Sequence, residues 1–435
     1  MITKEKIERI CFEEILGLWE SLPDSFPDFL TKVGELKKRQ NEAEIEEIAG
    51  QWKVKAKAFP KKESEQLAWK REMDGMLAGF FAKEQLLGIR NHMSEETFQA
   101  FQEETKRFVR KARSFGPELT MENIWQALRN YFIYAVIADL QGQKQACKET
   151  VFCYSLLYPY TDNYIDEKRH TRQQKEAYNC LISNVLNDVP VTPKGRVEEK
   201  TCKLLHGLVD SYAGEKKKEI QNLLLWMLEA QNNSIRQQEN EPEQKNGGEQ
   251  ANGVKLEHEP EQANGAELTR EEILRISAYK GSLSVLIDYF FTIPELREKE
   301  VRFYMKFGFF LQLADDLQDR AEDQKNGSQT LMVFCKNHGG LEKGVNRLLH
   351  YVHTVFEEFT PVNDKLKYFM LEHCYSLVIG AAMTDSGDFS GKYLERLEQF
   401  FPVHMEYMQK HRKVLGKNEK QVQQFWDKYG ELLLS

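Results

Sequence analysis

Several features that define other classes of protein are scarce or missing in this chain. Glycine (26 residues) and proline (12 residues) are few for a length of 435 residues, which argues against a β-sandwich or β-barrel because those folds need frequent turn residues. The net charge of −8 gives no general attraction to nucleic acid or to anionic lipid surfaces. No apolar run approaches the ~18 residues of a membrane-spanning helix, and the charged N-terminus lacks the apolar stretch of a signal peptide. We therefore expect neither nucleic-acid binding nor stable membrane insertion.

The cysteines and the short motifs exclude further classes. There are seven cysteines, an odd number, and none form a C-x-x-C pair, so neither a disulfide framework nor a zinc site is indicated. Zinc-hydrolase, Walker, dinucleotide-binding and nucleophile-elbow motifs are also missing. Reduced thiols fit a cytoplasmic protein, which is the location we expect.

What the sequence has is helical periodicity. Along 122–140, Ile124, Leu128, Phe132 and Val136 recur at intervals of four, the spacing of one buried helical face. Thr269 with Glu272 forms a capping-box pattern just before the apolar run that follows, which predicts a helix start. No alternating strand pattern emerges, so the sequence predicts an all-α fold.

Residues 238–267 differ from the rest of the chain. They contain Glu-Pro-Glu-Gln twice and Gln-Ala-Asn-Gly twice, with almost no bulky apolar side chain. Such a stretch cannot bury enough apolar surface to offset its ordering entropy, so we expect a disordered acidic loop inserted between two helices. It is either a tolerated surface insertion, which we favour, or a tail for a basic partner.

Two acidic clusters adjoin long apolar segments. In the first, Asp162 and Asp166 are four residues apart and project from one face of a helix. In the second, carboxylates form a stripe down one side of a helix, at Asp315, Asp316, Asp319 and Asp323. Either cluster alone is equally well explained as a solvated helix face. Stacked like charges beside buried helices need neutralisation, and two such helices facing each other would hold Mg²⁺ ions with a diphosphate between them.

The two clusters resemble those of the class I isoprenoid synthases, which comprise trans-prenyltransferases, class I terpene synthases and squalene/phytoene synthases. Asp162-x-x-x-Asp166 matches the spacing of the first motif of the family. The run from Gly308 to Asp319 is very similar to the prenyltransferase form of the second motif, G-x-x-F-Q-x-x-D-D-x-x-D. In a shifted register, Asp319-x-x-x-Asp323 resembles the squalene/phytoene form, and Asp319 serves in both. Lys280 resembles the diphosphate-binding lysine of prenyltransferases.

The resemblance covers about residues 120 to 330 and carries expectations for the fold. It implies a single large helical bundle with a central apolar cavity. The helices of residues 1–110 would pack on this bundle, and the catalytic domain would comprise 111–237 and 268–435. Aromatic side chains on the motif helices and their neighbours are candidates for lining the cavity, although ordinary core packing is the favoured explanation for each one separately: Phe132, Tyr154, Tyr158, Trp226, Tyr289, Phe290, Phe307 and Phe310. For Asn130, on the same helices, a polar face is the simpler explanation.

For the chemistry, the resemblance implies a Mg²⁺-dependent terpene synthase that ionises a linear prenyl diphosphate and releases diphosphate. Asp162, Asp166 and Asp319 would be catalytic, and these three would ligate metal together with Asp315, Asp316 and Asp323. About three Mg²⁺ ions would bind with the diphosphate, or Mn²⁺ in their place. Substrate contacts would come from Arg169, Arg172, Lys280, Gln312 and Arg320.

Two alternatives to the lyase remain open. The basic run from Lys168 to Arg172 departs from the paired arginines and glycine of prenyltransferases, which favours a lyase over chain elongation. A chain-elongating or head-to-head prenyltransferase is the first alternative, and a non-catalytic helical subunit is the second. A homodimer is compatible with any of these.

Overall fold

The structure of the chain is a computed structural model that describes most of the sequence. The described residues are 2–83, 92, 95–144, 146–167, 170–237 and 267–411. The side chains of Asp166 and Arg172 lie outside this part. All regular secondary structure in the described ranges is helical, which confirms the predicted all-α class.

The helices are numbered here in chain order. The first five are α1 Lys4–Arg9, α2 Leu16–Ser21, α3 Glu35–Lys57, α4 Glu63–Lys83 and α5 Glu95–Phe115, with a π-helical turn at Ile10–Ile15. The next five are α6 Met121–Leu140, α7 Glu149–Asp166, α8 Arg172–Leu186, α9 Arg196–Val209 and α10 Gly214–Ile235. The others are α11 Arg270–Thr292, α12 Glu298–Gln318, α13 Arg320–Asn326, α14 Leu331–Asn337, α15 Leu341–Glu357, α16 Asp364–Thr384 and α17 Gly391–Glu398.

The helix starts follow local chemistry. Thr269 caps α11, since its hydroxyl accepts from the Glu272 backbone N–H while the Glu272 carboxylate accepts from the Thr269 N–H, which confirms the predicted capping box. The periodic stretch 122–140 is helical, as predicted, within α6. Of the acidic stretch 238–267, all but Glu267 lies outside the described residues, so the predicted loop stays a prediction.

Helix α11 lies at the centre of the bundle. Its buried residues run from Ile273 to Thr292 and occupy nearly every side of the helix, which is the pattern of a helix surrounded by others. Helices α6, α10 and α12 pack against it, and α7 packs on α6 and α9. The N-terminal helices α1 and α2 also contribute to this core, through Ile7 and Trp19.

Helices α11 and α12 cross with their backbones in contact. A Cβ added to Gly281 would lie 2.5 Å from the Gly308 carbonyl oxygen and 2.8 Å from Gln312 Cβ. A Cβ added to Gly308 would lie 2.1 Å from the Gly281 carbonyl oxygen. Only glycine at both positions allows this approach. The crossing places Lys280, the residue before Gly281, close to the C-terminal turns of α12.

No helix among those described is both long and apolar enough to cross a membrane.

Candidate functional site at one end of helices α7, α11 and α12

The second acidic cluster lies where α12 ends and α13 begins. Asp315 and Asp316 are in the last turn of α12, Asp319 ends the helix, and Asp323 is in α13. Asp316 is 4% exposed, and its Oδ1 accepts a hydrogen bond of 3.0 Å from Gln312 Nε2. Within the described part of the chain, its Oδ2 is buried without any hydrogen-bond partner. This orphaned carboxylate oxygen needs a cation or a proton.

The carboxyls of the cluster hold their protons more tightly than ordinary aspartates. Burial, and secondarily the like charges of Asp315 and Asp323, raise the pKa of Asp316 to about 7. Burial likewise raises the pKa of Asp323 to about 6, with the charge of Asp319 adding to it. The pKa values of Asp315 and Asp319 are also raised, mainly by desolvation. Both of these side chains are nevertheless solvent-accessible.

Two basic side chains face this cluster. Lys280, half-buried on α11, lies close enough to lower the pKa of both Asp315 and Asp316. Arg129, exposed on α6, does the same for Asp315 and Asp319. In the described ranges, no carboxylate oxygen lies within 4.0 Å of a charged nitrogen of either cation. Both therefore remain available to an anion.

Sequence reasoning missed Arg129. Along α6 it is the one basic residue, in a helix whose acidic residues are Glu122 and Asp139. The signal in the sequence is a single basic residue in a strongly apolar helix. Because burying an unpaired charge is costly, such a helix packs with its charged side chain towards solvent. The sequence could not indicate that Arg129 lies near the carboxylates at the end of α12.

The first acidic cluster is described in part. Asp162, half-buried on α7, accepts hydrogen bonds on Oδ1 from Gln231 Nε2 at 3.1 Å and from its neighbour Thr161 at 3.2 Å. Gln231, from α10, is a second residue that sequence reasoning missed. Asp166 ends α7, but its side chain and that of Arg172 lie outside the described residues, and Arg169 lies outside them entirely. The roles predicted for these three stay predictions.

Contacts between α7 and α11 determine where the first acidic cluster, on α7, lies relative to Lys280 on α11. Tyr158 and Ser284 share a hydrogen bond of 3.0 Å, and the Tyr154 and Phe291 rings pack with centroids 5.3 Å apart. Because higher numbers on α11 meet lower numbers on α7, the two helices run antiparallel. Asp162 lies one turn beyond Tyr158 on α7, and Lys280 lies one turn before Ser284 on α11. The antiparallel register therefore places Asp162 and Lys280 at the same end of the helix pair.

Solvent access decreases from this end into the bundle. Asp315 and Arg129 are exposed, and Asp162, Tyr158, Lys280 and Ser284 are half-buried. One turn deeper, Tyr154 and Asp288 are buried. We give the name α7–α11 recess to those eight residues, which lie on α6, α7, α11 and α12. A central apolar cavity beneath it stays a prediction.

The sequence predicts a substrate contact for Arg320, but in the structure its side chain has partners within the protein. Its side chain is fully buried, and its Nε donates to Asp388 Oδ2 at 3.0 Å. Its other nitrogens donate to the carbonyl oxygens of Leu317 and Asp385 at 3.3 and 2.8 Å. These contacts hold α13 against the segment before α17. They leave no exposed donor for a substrate, so they argue against the substrate contact predicted for Arg320.

Metal ligation also stays a prediction. Among the described residues, no group of three or more His, Cys, Asp or Glu side chains converges tightly enough to hold a metal ion. Mg²⁺ is, however, commonly held by one or two carboxylates together with substrate phosphates. The orphaned Oδ2 of Asp316, repelled by two neighbouring carboxylates, is an oxygen donor of the kind that fits Mg²⁺.

Comparisons of the chain with known protein families, with curated proteins and with solved structures return no match. The residues of the α7–α11 recess are therefore the basis on which a function can be proposed.

Proposed function

We propose that the chain is a Mg²⁺-dependent class I terpene synthase that ionises a linear prenyl diphosphate at the α7–α11 recess. The observation that carries this proposal is the composition of one end of the recess. Lys280 and Arg129, which have no ion-pair partner among the described residues, face carboxylates that include a buried Asp316 oxygen without a hydrogen-bond partner in the same part of the chain. An anion that brings its own divalent cations satisfies both sets of groups at once, and a diphosphate is such an anion.

The protein's own groups would act on the substrate in two places. At the mouth, Lys280 and Arg129 would donate charge-assisted hydrogen bonds to diphosphate oxygens and favour the charge that grows as the C–O bond breaks. Asp162, Asp315, Asp316 and Asp319 would hold Mg²⁺, which supplies Lewis-acid neutralisation of the leaving diphosphate when bound. Gln312 and Gln231 would orient the carboxylates, since each donates to one of them.

Deeper in the recess, Tyr158 and Tyr154 would present ring faces to the hydrocarbon chain. A carbocation over an aromatic face gains about 2 kcal/mol or more when both are desolvated. The decrease in solvent access towards Tyr154 favours such desolvation. Exclusion of water also protects a carbocation from capture as an alcohol.

The test is to incubate the purified chain and Mg²⁺ with geranyl, farnesyl, geranylgeranyl and geranylfarnesyl diphosphates. Each substrate is tried with and without isopentenyl diphosphate, and released diphosphate and extracted products are measured. The proposal predicts diphosphate and a terpene from a single substrate. Longer prenyl diphosphates that form only with isopentenyl diphosphate would identify an elongase instead. A folded chain without turnover on any substrate would favour head-to-head coupling or a non-catalytic subunit.

A further inference from the structure

A surface cavity lies between α17 and the segment that connects α2 to α3. Its volume is about 420 Å³, which is within the range of about 300 to 1,000 Å³ typical of sites for small molecules. One wall consists of residues from 26 to 32, and the other consists of residues from 392 to 400. We call it the α17 cavity. It shares no residue with the α7–α11 recess.

Hydrogen bonds fix the two walls of the α17 cavity relative to each other. Asn346, buried on α15, donates to the carbonyl oxygen of Asp24 at 2.9 Å and accepts from the Tyr393 hydroxyl at 2.8 Å. It therefore connects the segment before one wall with the helix that forms the other. Beyond the first wall, the Val33 N–H donates to the Gln399 carbonyl oxygen at 2.8 Å. Because both ends of the segment are held in this way, the cavity is formed before any ligand binds.

The guanidinium of Arg396 is held in a fixed plane at this cavity. It lies over the Phe26 ring, at 3.7 Å from the ring centroid. Phe26 in turn packs against Tyr393 and Phe400, with ring centroids 5.9 and 5.8 Å apart. Stacking on a ring leaves the N–H donors at the edge of a guanidinium accessible. Within the described part of the chain, Arg396 donates no hydrogen bond and forms no ion pair. Its donors are therefore oriented and available to an anion.

The charges of the α17 cavity indicate what such an anion carries. Lys32 and Lys392 line the cavity together with Arg396, and Asp28 and Glu395 are its two acidic residues. All five side chains are exposed, and none forms an ion pair within the described ranges. The excess of cations favours an anion. A carboxylate can only accept hydrogen bonds, so the two acidic residues favour a ligand that also carries donors such as hydroxyl groups.

We propose that the α17 cavity binds the phosphomonoester of a small polyhydroxylated molecule, of which a sugar phosphate is the simplest example. The planar fork of Arg396 donates two parallel hydrogen bonds to two phosphate oxygens. Lys32 and Lys392 neutralise the remaining charge, and the carboxylates of Asp28 and Glu395 accept from the hydroxyl groups. A phosphate suits this arrangement better than a carboxylate, because it offers a third oxygen and a second negative charge. The inference does not depend on the proposed terpene synthase activity.

The experiment is isothermal titration of the full chain, without Mg²⁺, with ribose 5-phosphate, inorganic phosphate and ribose. Ribose 5-phosphate is expected to saturate a single site. Its affinity should exceed that of inorganic phosphate by about 10-fold or more, because hydrogen bonds from hydroxyls to charged carboxylates are added. Ribose, which lacks the anion, should give no measurable binding.

Variants assign the binding to the cavity. Arg396→Gln is expected to weaken ribose 5-phosphate binding about 10-fold or more, since two charge-assisted hydrogen bonds are lost. Arg71→Gln is the matched control, because Arg71 is an exposed arginine on α4 that does not line the cavity. Lys392→Gln leaves the stacked guanidinium in place and should also weaken binding, so the test does not depend on one variant. Lys280→Gln, in the α7–α11 recess, should leave the affinity unchanged.

Three results would overturn the inference. The first is the absence of saturable binding of ribose 5-phosphate, or an affinity no higher than that of inorganic phosphate. The second is the parent affinity in both Arg396→Gln and Lys392→Gln. The third is loss of binding in Lys280→Gln, which would place the phosphate at the recess. None of these results bears on the proposed function, which is measured separately as diphosphate release from prenyl diphosphates.

Discussion

Gly281 and Gly308 touch through their backbones, so that a methyl group on either residue would overlap the carbonyl oxygen of the other. This contact determines how closely α12 approaches the central helix α11 where the two cross. It also sets the distance between Lys280 and the carboxylates that follow Gln312. The position of the acidic cluster against its cation thus depends on two residues that carry no side chain.

Gly308→Ala is expected to destabilise the chain by about 3 kcal/mol or more, because backbone atoms cannot move aside as a side chain can. Urea denaturation followed by circular dichroism measures the loss. Gly75→Ala in α4 is the matched control, since a Cβ there meets nothing within 4 Å. That control should leave stability unchanged or raise it by roughly 0.5–1 kcal/mol. A Gly308→Ala chain as stable as its parent would mean that the helices are farther apart than described.

Asp316→Asn is expected to change the pH dependence of stability. The pKa of Asp316 is raised to about 7 in the folded chain, so its protonated form stabilises the fold at low pH, and this contribution is lost as the pH rises through about 7. The free energy of unfolding of the parent should therefore fall between pH 5 and 8 by more than that of the variant. Asparagine keeps the hydrogen bond from Gln312. Identical pH profiles for parent and variant would show that Asp316 is ordinarily ionised.

Mg²⁺ should stabilise the folded chain most strongly when inorganic diphosphate is also present. The carboxylates repel one another without a cation, and Lys280 and Arg129 have no ion-pair partner among the described residues, so joint binding of Mg²⁺ and diphosphate relieves both. Thermal unfolding at pH 8 with Mg²⁺, with diphosphate, and with both measures this. The shift with both ligands should exceed the sum of the separate shifts. It should disappear in Asp316→Asn but persist in Lys299→Gln, an exposed α12 lysine. Simple additivity of the two ligands would contradict a shared site.

Arg320→Ala is expected to act on stability, with a loss of about 3 kcal/mol or more. Removing the guanidinium leaves Asp388 without one of its two cationic partners and takes away the donor to the carbonyl oxygens of Leu317 and Asp385. Urea denaturation gives the loss, and Michaelis kinetics on the folded fraction gives KM. A stable variant whose KM for the prenyl diphosphate rises would restore the substrate contact that the resemblance implies.

Local patterns in the sequence predict the helices well, and long-range contacts explain what they miss. Thr269 and Glu272 predict the start of α11 because both partners of the cap lie within one turn. The buried state of Arg320 cannot be read locally, since its partner Asp388 is 68 residues away. The polar face expected for Asn130 is wrong, because Asn130 is buried and donates to Asp288, 158 residues away, a contact that likewise forms only in the folded bundle. The carboxylate spacings predict the acidic clusters, but the position of Arg129 beside the carboxylates of α12 depends on how α6 packs.

The measurement that tests the account most directly is the rate of diphosphate release by four chains: the parent, Asp162→Asn, Lys280→Gln and the double variant. Asp162 and Lys280 come from different helices, and only the antiparallel register of α7 and α11 brings them to one end of the recess. Each single change is expected to lower the rate about 100-fold or more. The double variant is expected to be little slower than the slower single variant, because both residues act on the same leaving group. A parent that releases no diphosphate, or a single variant within a few-fold of the parent rate, would contradict it.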